Sequence, residues 1–285
     1  MADQPSINAW LSQAKQRLAT SGADAPDLDA KLMLCEITGL SSAQLISRSD
    51  VVLDCHAIEK ANSMLTRRLS GEPLHRILQW REFYGRRFDI SPETLIPRPD
   101  TETLIDSVLA TVGDRSASLK ILDMGTGTGN IGVTLAAELP SSHVIVADFS
   151  REALKTAVKN AGTHGVAGRV TAVHTDLFDT VTGSFDLLVS NPPYIPVAEL
   201  DGLQPEVRLH EPHRALLGGE DGMFFYERIF GEAMHYLEPE GQIFIEIGAG
   251  QEKQVELIAN RNGFAIQEVF KDLSGIVRVL RAVLR

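Results

Sequence analysis

The strongest constraint on folding in this chain is an alternation that begins near residue 119. Short, almost uninterrupted apolar segments occur at 119–124, 144–147, 170–174, 185–190 and 242–247, and stretches of helical period at 130–138, 151–161 and 223–237 lie between them. A strand that is apolar at every position is buried on both faces, which requires helices on both sides of the sheet and favours parallel pairing. The last two apolar segments, 264–269 and 276–280, are joined by about six residues around Asp272 to Gly275. That is too short for a parallel crossover, so this pair must be antiparallel. The expected fold class is therefore α/β: a Rossmann-like, mostly parallel sheet ending in an antiparallel hairpin.

The preceding part follows a different period. Across residues 7–78 apolar side chains recur three and four apart, as in Trp10, Leu11, Ala14 and Leu18, and again in Leu28, Leu32, Leu34 and Ile37. Breaks at Ser21-Gly22, at Gly39-Leu40-Ser41-Ser42 and at Gly71-Glu72-Pro73 divide the stretch into several helices. Residues 1–79 thus read as a small helical-bundle domain. Residues 80–94 read as a β-hairpin linker turning at Tyr84-Gly85, and residues 95–285 as the α/β domain. Pro92, Pro97 and Pro99 stiffen the entry to that domain, ahead of a helix expected to be capped near Asp100 or Thr101.

A chain of 285 residues that is 44% hydrophobic and 23% charged is neither disordered nor fibrous. Its formal net charge is −11. The helical part is close to charge balance, which leaves nearly all the acidic excess in the α/β part and argues against binding held by phosphate neutralisation. Cys35 and Cys55 form no CxxC and belong to no Cys/His cluster, so neither a disulfide framework nor structural zinc is expected, and both read as buried thiols. The opening residues lack the basic flank and apolar run of a secretion signal, and no stretch of about 18 apolar residues occurs, so the expected location is the cytoplasm.

Two motifs carry chemistry. The first, Asp123-Met124-Gly125-Thr126-Gly127-Thr128-Gly129-Asn130, follows a strand and opens a helix, where glycines let a ligand approach backbone amides. Gly127, Gly129 and Gly132 also satisfy GxGxxG, so the glycines alone leave a dinucleotide and S-adenosylmethionine open. Asp148, at the end of the next strand, can accept both hydroxyls of a ribose in either case. The Asp123 carboxylate suits a cation better than a pyrophosphate, and S-adenosylmethionine presents an ammonium and a sulfonium. The Gly-Thr-Gly-Thr-Gly spacing also resembles methyltransferase motif I more than a nicotinamide fingerprint.

The second motif is Asn191-Pro192-Pro193-Tyr194, at the carboxyl end of the segment 185–190. An NH2 group conjugated to a carbonyl or ring is a weak nucleophile, because its lone pair is delocalised by the resonance that gives a peptide C–N bond its rotation barrier of roughly 18–20 kcal/mol. Methylating it requires two acceptors aimed at the two N–H bonds. The Asn191 side-chain oxygen and the Pro192 carbonyl suit that task, and both residues precede a proline, which biases them toward extended backbone. Tyr194 can stack on the planar group. Positioning of this kind is worth up to roughly 7–11 kcal/mol, so no strong base is needed.

A methyl-donor loop followed by Asn-Pro-Pro-Tyr resembles methyltransferases that modify planar nitrogens, and the flanking segments narrow the choice. Glu82-Phe83-Tyr84-Gly85 with Phe88, Leu95-Ile96-Pro97-Arg98-Pro99-Asp100-Thr101-Glu102, Glu211-Pro212 with Ala215-Leu216, and Gly218-Gly219-Glu220-Asp221-Gly222 resemble the release factor glutamine methyltransferase (HemK/PrmC) family. The resemblance implies a class I methyltransferase fold and N5-methylation of the glutamine in the Gly-Gly-Gln loop of class 1 peptide chain release factors, with the helical domain helping to dock that protein. It implies that Gly125, Thr126, Gly127, Thr128, Gly129 and Asp148, with Asp123 and Asn191, bind S-adenosyl-L-methionine, and that Asp176 and Leu177 lie near the adenine. Asn191, Pro192, Pro193 and Tyr194 would hold the glutamine amide. The expected enzyme is a cytoplasmic monomer without membrane association or stable nucleic-acid binding. The competing reading is an amino-methyltransferase acting on adenine or guanine in nucleic acid.

Other residues have plainer alternatives. Arg98 reads either as a substrate or cofactor contact or as a surface partner of Asp100 or Glu102. Glu246, ending an apolar strand, either lines the site or is a buried, paired carboxylate. His210-Glu211-Pro212-His213 has an internal proline that keeps both histidines off one helix face, so it reads as a loop over the substrate pocket and no metal site is expected. Phe83 and Tyr84 read as packing residues.

Overall fold

The computed structural model describes residues 4–285. They form two compact units: one runs to Gln79 and takes in Pro205–His210, and the other comprises Trp80–Gln204 and Glu211–Arg285. The hairpin at residue 80 thus belongs to the second unit, and a short segment from far along the chain belongs to the first.

The helical unit contains α1 (Ile7–Thr20), α2 (Pro26–Thr38), α3 (Ser42–Ser47), α4 (Cys55–Leu69) and α5 (Leu74–Leu78). The side chains of Ser6, Ser41 and Asp54 accept backbone N–H bonds at the starts of α1, α3 and α4, satisfying donors that have no partner within the helix. Trp10, Leu18, Met33, Leu34 and Leu65 fill its interior. The two cysteines do not: Cys35 is half-buried and Cys55 exposed, correcting the expectation of buried thiols. α2 buries Ala30, Met33 and Leu34 instead, and Cys55 is the first residue of α4, directly after its cap. One buried cation ties the unit together. Arg68 donates from Nε to Asp29 at 2.7 Å and from Nη1 to Glu206 at 2.7 Å.

The second unit begins with β1 (Trp80–Phe83) and β2 (Arg86–Asp89), paired antiparallel, followed by α6 (Glu102–Thr111). Then come β3 (Lys120–Met124), α7 (Asn130–Glu138), β4 (His143–Asp148), α8 (Arg151–Thr163), β5 (Val170–His174) and β6 (Phe185–Ser190). The segment Pro205–His210 forms α9, and the remainder is α10 (Phe224–Ala233), β7 (Leu237–Glu246), α11 (Glu252–Arg261), β8 (Phe264–Lys271) and β9 (Val277–Leu284). The sheet order is β5-β4-β3-β6-β7-β9-β8; the first five strands are parallel, and β9 runs antiparallel to both β7 and β8. The mostly parallel sheet with its terminal antiparallel pair is therefore present. β7 starts five residues earlier than the pattern 242–247 indicated, because Leu237 already pairs with Phe185.

Successive strand residues serve opposite faces, as the period of two requires. Leu122, Leu188, Ile243 and Ile245 join Tyr226, Phe230 and Phe264 in one core, whereas Ile121, Val189 and Phe244 join Phe83, Phe88, Ile105 and Val133 in the other. Helices α10 and α11 cover the first face. The second is covered by α6, α7 and α8 together with the β1–β2 hairpin. Phe83 and Phe88 meet edge to face with centroids 6.0 Å apart, so both aromatics flanking Tyr84-Gly85 are packing residues.

The helical unit yields a stability prediction. Arg68 is 7% exposed and Asp29 6%. Removing the guanidinium leaves a buried carboxylate without its counter-charge, which costs about 3–5 kcal/mol. Arg68→Ala should lose stability of that order in urea unfolding followed by far-UV circular dichroism. A loss below about 1 kcal/mol, the range of an exposed pair, would mean that the pair is solvated.

Candidate active site

The sheet order reverses between β3 and β6, and in open α/β sheets ligands bind in the crevice beyond the strand ends at such a point. A cavity of about 380 Å³ lies there, within the usual size of a small-molecule site. Its wall on one side is Gly125, Thr126, Gly127 and Thr128 after β3, and on the other Asn191, Pro192 and Pro193 after β6. Asp148, Asp176, Leu177, Thr101 and Arg98 also line it. Two loops with separate expected tasks thus face one space.

The glycine loop is pinned from outside and beneath. Gly125 and Thr126 both donate backbone N–H to the Ala147 carbonyl, at 2.9 and 3.0 Å. Gly127 N–H donates to Asp148 Oδ2 at 2.9 Å, and Ser150 N–H to Asp148 Oδ1 at 2.8 Å. Each Asp148 oxygen keeps acceptor capacity for a hydroxyl, and burial raises the carboxyl above its usual range. Asn160, fully buried on α8, donates to the carbonyls of Thr128 (2.8 Å) and Asp89 (3.1 Å), and so ties the loop to the end of β2. Sequence reasoning missed it, since nothing marks an asparagine inside a helical pattern as a tether.

Asp123 is corrected. It is fully buried, does not line the cavity, and spends Oδ2 on the Thr126 hydroxyl and on Gly132 N–H at 2.8 Å. Desolvation pushes its carboxyl up to about 7. It braces the loop from below through Oδ2, and its other oxygen, Oδ1, is buried without a hydrogen-bond partner. Gly132 has no room for a side chain, because a Cβ would lie 2.8 Å from Asp123 Oδ2 and 2.9 Å from Val146 Cγ1. The GxGxxG match thus reflects helix-to-strand contact at its third glycine.

At the far end of the cavity Leu177 takes φ +50°, a left-handed conformation unusual for leucine, and Asp176 pairs with Arg228 at 2.7 Å. Phe149, directly after Asp148, and Phe224 are each half or more exposed and both line the cavity. They supply exposed aromatic surface to the cavity that Leu177 also lines. Exposure of an aromatic next to a strand-end acid is the signal that could have identified Phe149, and it is not visible without the fold.

The Asn191 loop is seated with equal care. The Ser190 hydroxyl donates to the Met124 carbonyl at 2.7 Å, joining the two strand ends. Asn191 Nδ2 donates to Thr101 Oγ1 at 3.1 Å, and the side chains of Thr101 and Asn191 both favour the ionised form of the Glu246 carboxyl. Thr101 therefore does not cap α6, which starts at Glu102 without a side-chain cap. Tyr194 does not line the cavity: burial pushes its hydroxyl up to about 12, and its ring packs on the core formed with α10 and α11. That placement differs from the expected stacking on a planar substrate group. Gln251 Nε2 donates to the Tyr194 carbonyl at 2.9 Å. Gly218 explains part of the Gly-Gly-Glu-Asp-Gly segment, for a Cβ there would meet the Pro193 carbonyl oxygen at 2.6 Å.

Arg98 reaches the cavity and pairs with the buried Glu211 at 3.2 Å, not with Asp100 or Glu102. Asp100 is taken by Arg278 at 2.9 Å, and Glu102 accepts the Tyr84 N–H at 2.8 Å. His210 ends α9 and His213 opens a separate 3-10 turn, so the pair does not share a helix face. Among the described residues no group of three or more His, Cys, Asp or Glu is arranged to hold a metal ion, and no helix is long and apolar enough to cross a membrane.

Comparison with known proteins agrees with this architecture. Residues 9–78 match the PrmC N-terminal domain and residues 100–201 the methyltransferase small domain. The chain is 39% identical to the release factor glutamine methyltransferase of Agrobacterium fabrum, covering 96% of each chain. It is 40% identical to that of Cereibacter sphaeroides, covering 95% of this chain and 96% of the relative. Among solved structures, the hMettl16 catalytic domain superposes with a TM-score of 0.58 at 17% identity, over 78% of this chain and 82% of that one. A methyltransferase from Pyrococcus furiosus gives 0.52 at 17% identity, over 78% and 98%. These structural likenesses concern the class I methyltransferase fold, whereas the sequence relatives extend over almost the entire length, and by them the chain belongs to the release factor glutamine methyltransferase family.

Proposed function

We propose that this chain transfers a methyl group from S-adenosyl-L-methionine to the side-chain amide nitrogen, N5, of the glutamine in the Gly-Gly-Gln loop of class 1 peptide chain release factors. S-adenosylmethionine supplies a methyl group on a sulfonium. The Gly125–Gly129 loop and the two oxygens of Asp148 fit its polar parts, and Leu177, Phe149 and Asp176 its purine.

The observation that carries the reading is the state of the Asn191 carboxamide. Its NH2 group donates to Thr101, so Oδ1 is left as an acceptor in a cavity that the glycine loop also lines. A substrate amide that donates one N–H to Oδ1 and the other to the Pro192 carbonyl presents its nitrogen lone pair out of plane. As the N–C bond forms and the S–C bond breaks, positive charge grows on that nitrogen, and both acceptors bind it more strongly than in the ground state. The nitrogen then loses a proton to water.

In this reading residues 1–79 help dock the release factor, residues 80–94 join them to the methyltransferase domain at 95–285, and the enzyme works as a monomer in the cytoplasm. Stable nucleic-acid binding is not expected, because the acidic excess lies in the part that carries the cavity. Arg98, lining the cavity, serves the substrate side.

Labelled methyl donor should modify a class 1 release factor but not the same factor with its Gly-Gly-Gln glutamine changed to alanine. Equal label on both, or label on RNA or DNA instead, would overturn the assignment. Asn191→Ala should lower kcat about 100-fold with little change in donor Kd, since misplacement at the reacting group costs on that scale. Asp148→Ala should do the reverse, weakening donor binding by about 10- to 100-fold in calorimetry, as expected for lost hydrogen bonds to a charged group.

A further inference from the structure

Glu246 ends β7 beneath the acceptor loop and is 2% exposed. It does not line the cavity, and one of its oxygens, Oε2, has no hydrogen-bond partner. A carboxyl buried in this way costs stability, and a site needed only for packing would be better filled by an apolar side chain. Its contacts indicate what the residue contributes. Asn191 and Glu246 follow the paired residues Ser190 and Ile245 on adjacent strands, the Thr101 and Asn191 side chains both favour the ionised carboxyl, and Asn191 donates to Thr101.

A primary amide nitrogen only donates and a carboxylate only accepts, whereas a hydroxyl does both. With Glu246 ionised, one arrangement suits all three groups: Asn191 NH2 donates to the Thr101 hydroxyl, and the N–H and O–H dipoles of both turn toward the carboxylate. An exchange of Oδ1 with Nδ2 would lose the bond to Thr101 and set an oxygen against the carboxylate. Resting on the proposed methylation of a glutamine amide, we propose that Glu246 is a positioning residue that fixes the orientation of the Asn191 carboxamide, so that an acceptor rather than a donor meets the substrate N–H.

The groups around it set when this works. Arg278 of β9 favours the ionised form, Asp100 beside Thr101 opposes it, and Tyr194 and Tyr226 face it as neutral hydroxyl-bearing rings. Burial outweighs these and pushes the Glu246 carboxyl up to about 7. Below that pH the carboxyl gains a proton to donate, the single arrangement is lost, and Asn191 is free to turn its NH2 to the substrate. Activity should therefore fall as pH drops through about 7.

The test measures release-factor methylation by the full-length enzyme from pH 5.5 to 9, with donor Kd by calorimetry. Glu246→Gln keeps the shape but adds an NH2 that competes for the same acceptors. It should lower kcat at pH 8.5 about 10- to 100-fold, leave donor Kd within about twofold, and abolish the acid limb. Asp123, whose carboxyl lies in the same range, makes loss of the limb in this variant the decisive reading. Thr101→Val should reproduce the fall in kcat and Thr101→Ser restore it, which keeps the test available if Glu246→Gln does not fold. Wild-type kcat in Glu246→Gln, an acid limb that survives it, or a drop in kcat matched by an equal rise in donor Kd overturns the inference. A wild-type enzyme that labels no release factor overturns the parent reading and this inference with it.

Discussion

Between the ends of β3 and β6 a single hydroxyl ties together the starts of the two loops on which the chemistry depends. Ser190 donates to the Met124 carbonyl, one residue before the glycine loop and one residue before Asn191. The strands on either side are adjacent and parallel, with Met124 opposite Ser190 in register. Their following loops therefore leave the sheet side by side, and the space between them is fixed by strand spacing rather than by loop conformation. That is how a sheet turns two distant pieces of sequence into one reaction space, and why the bracing beneath it is so complete: Asp123 and Gly132 under one loop, Thr101 and Glu246 under the other.

Much of this architecture was legible in the residues. The helix Asn130–Glu138 and the strand Phe185–Ser190, buried along most of their length, begin and end where their hydrophobic runs do; Val170–His174 keeps its expected limits but, as an edge strand, is not buried on both faces. The antiparallel end of the sheet followed from connection length alone. What periodicity does not carry is partnership across the chain. Thr101 looks like a helix cap until Asn191, 90 residues later, claims its hydroxyl. Asp123 has the composition of a ligand-binding acid but is fully buried beneath the loop it supports. Arg98 has Asp100 and Glu102 close by in sequence, yet its partner is Glu211, 113 residues away. Tyr194, placed in the motif for its flat ring, spends that ring on the core.

The buried acids share a physical logic. Asp123, Asp148 and Glu246 all have carboxyls raised by desolvation; the first two accept hydrogen bonds from the segments they support, and the third is stabilised in its ionised form by Thr101 and Asn191. A neutral side chain could fill the same volume at lower cost, but it would not force every neighbouring donor to point inward. Charge is used here to give direction to dipoles more than to attract a counter-charge.

The placement of α9 has a further consequence. Glu206 joins Arg68 and Asp29 in the helical unit, although the residues on either side of α9 belong to the other unit. The helical unit is thus discontinuous in sequence, and a fragment cut at Gln79 would be an incomplete object, with one carboxylate of the Arg68 cluster missing. Autonomous folding of that fragment, grafting it onto another enzyme, or exchanging it between relatives would each have to carry a six-residue insert located inside the catalytic sequence.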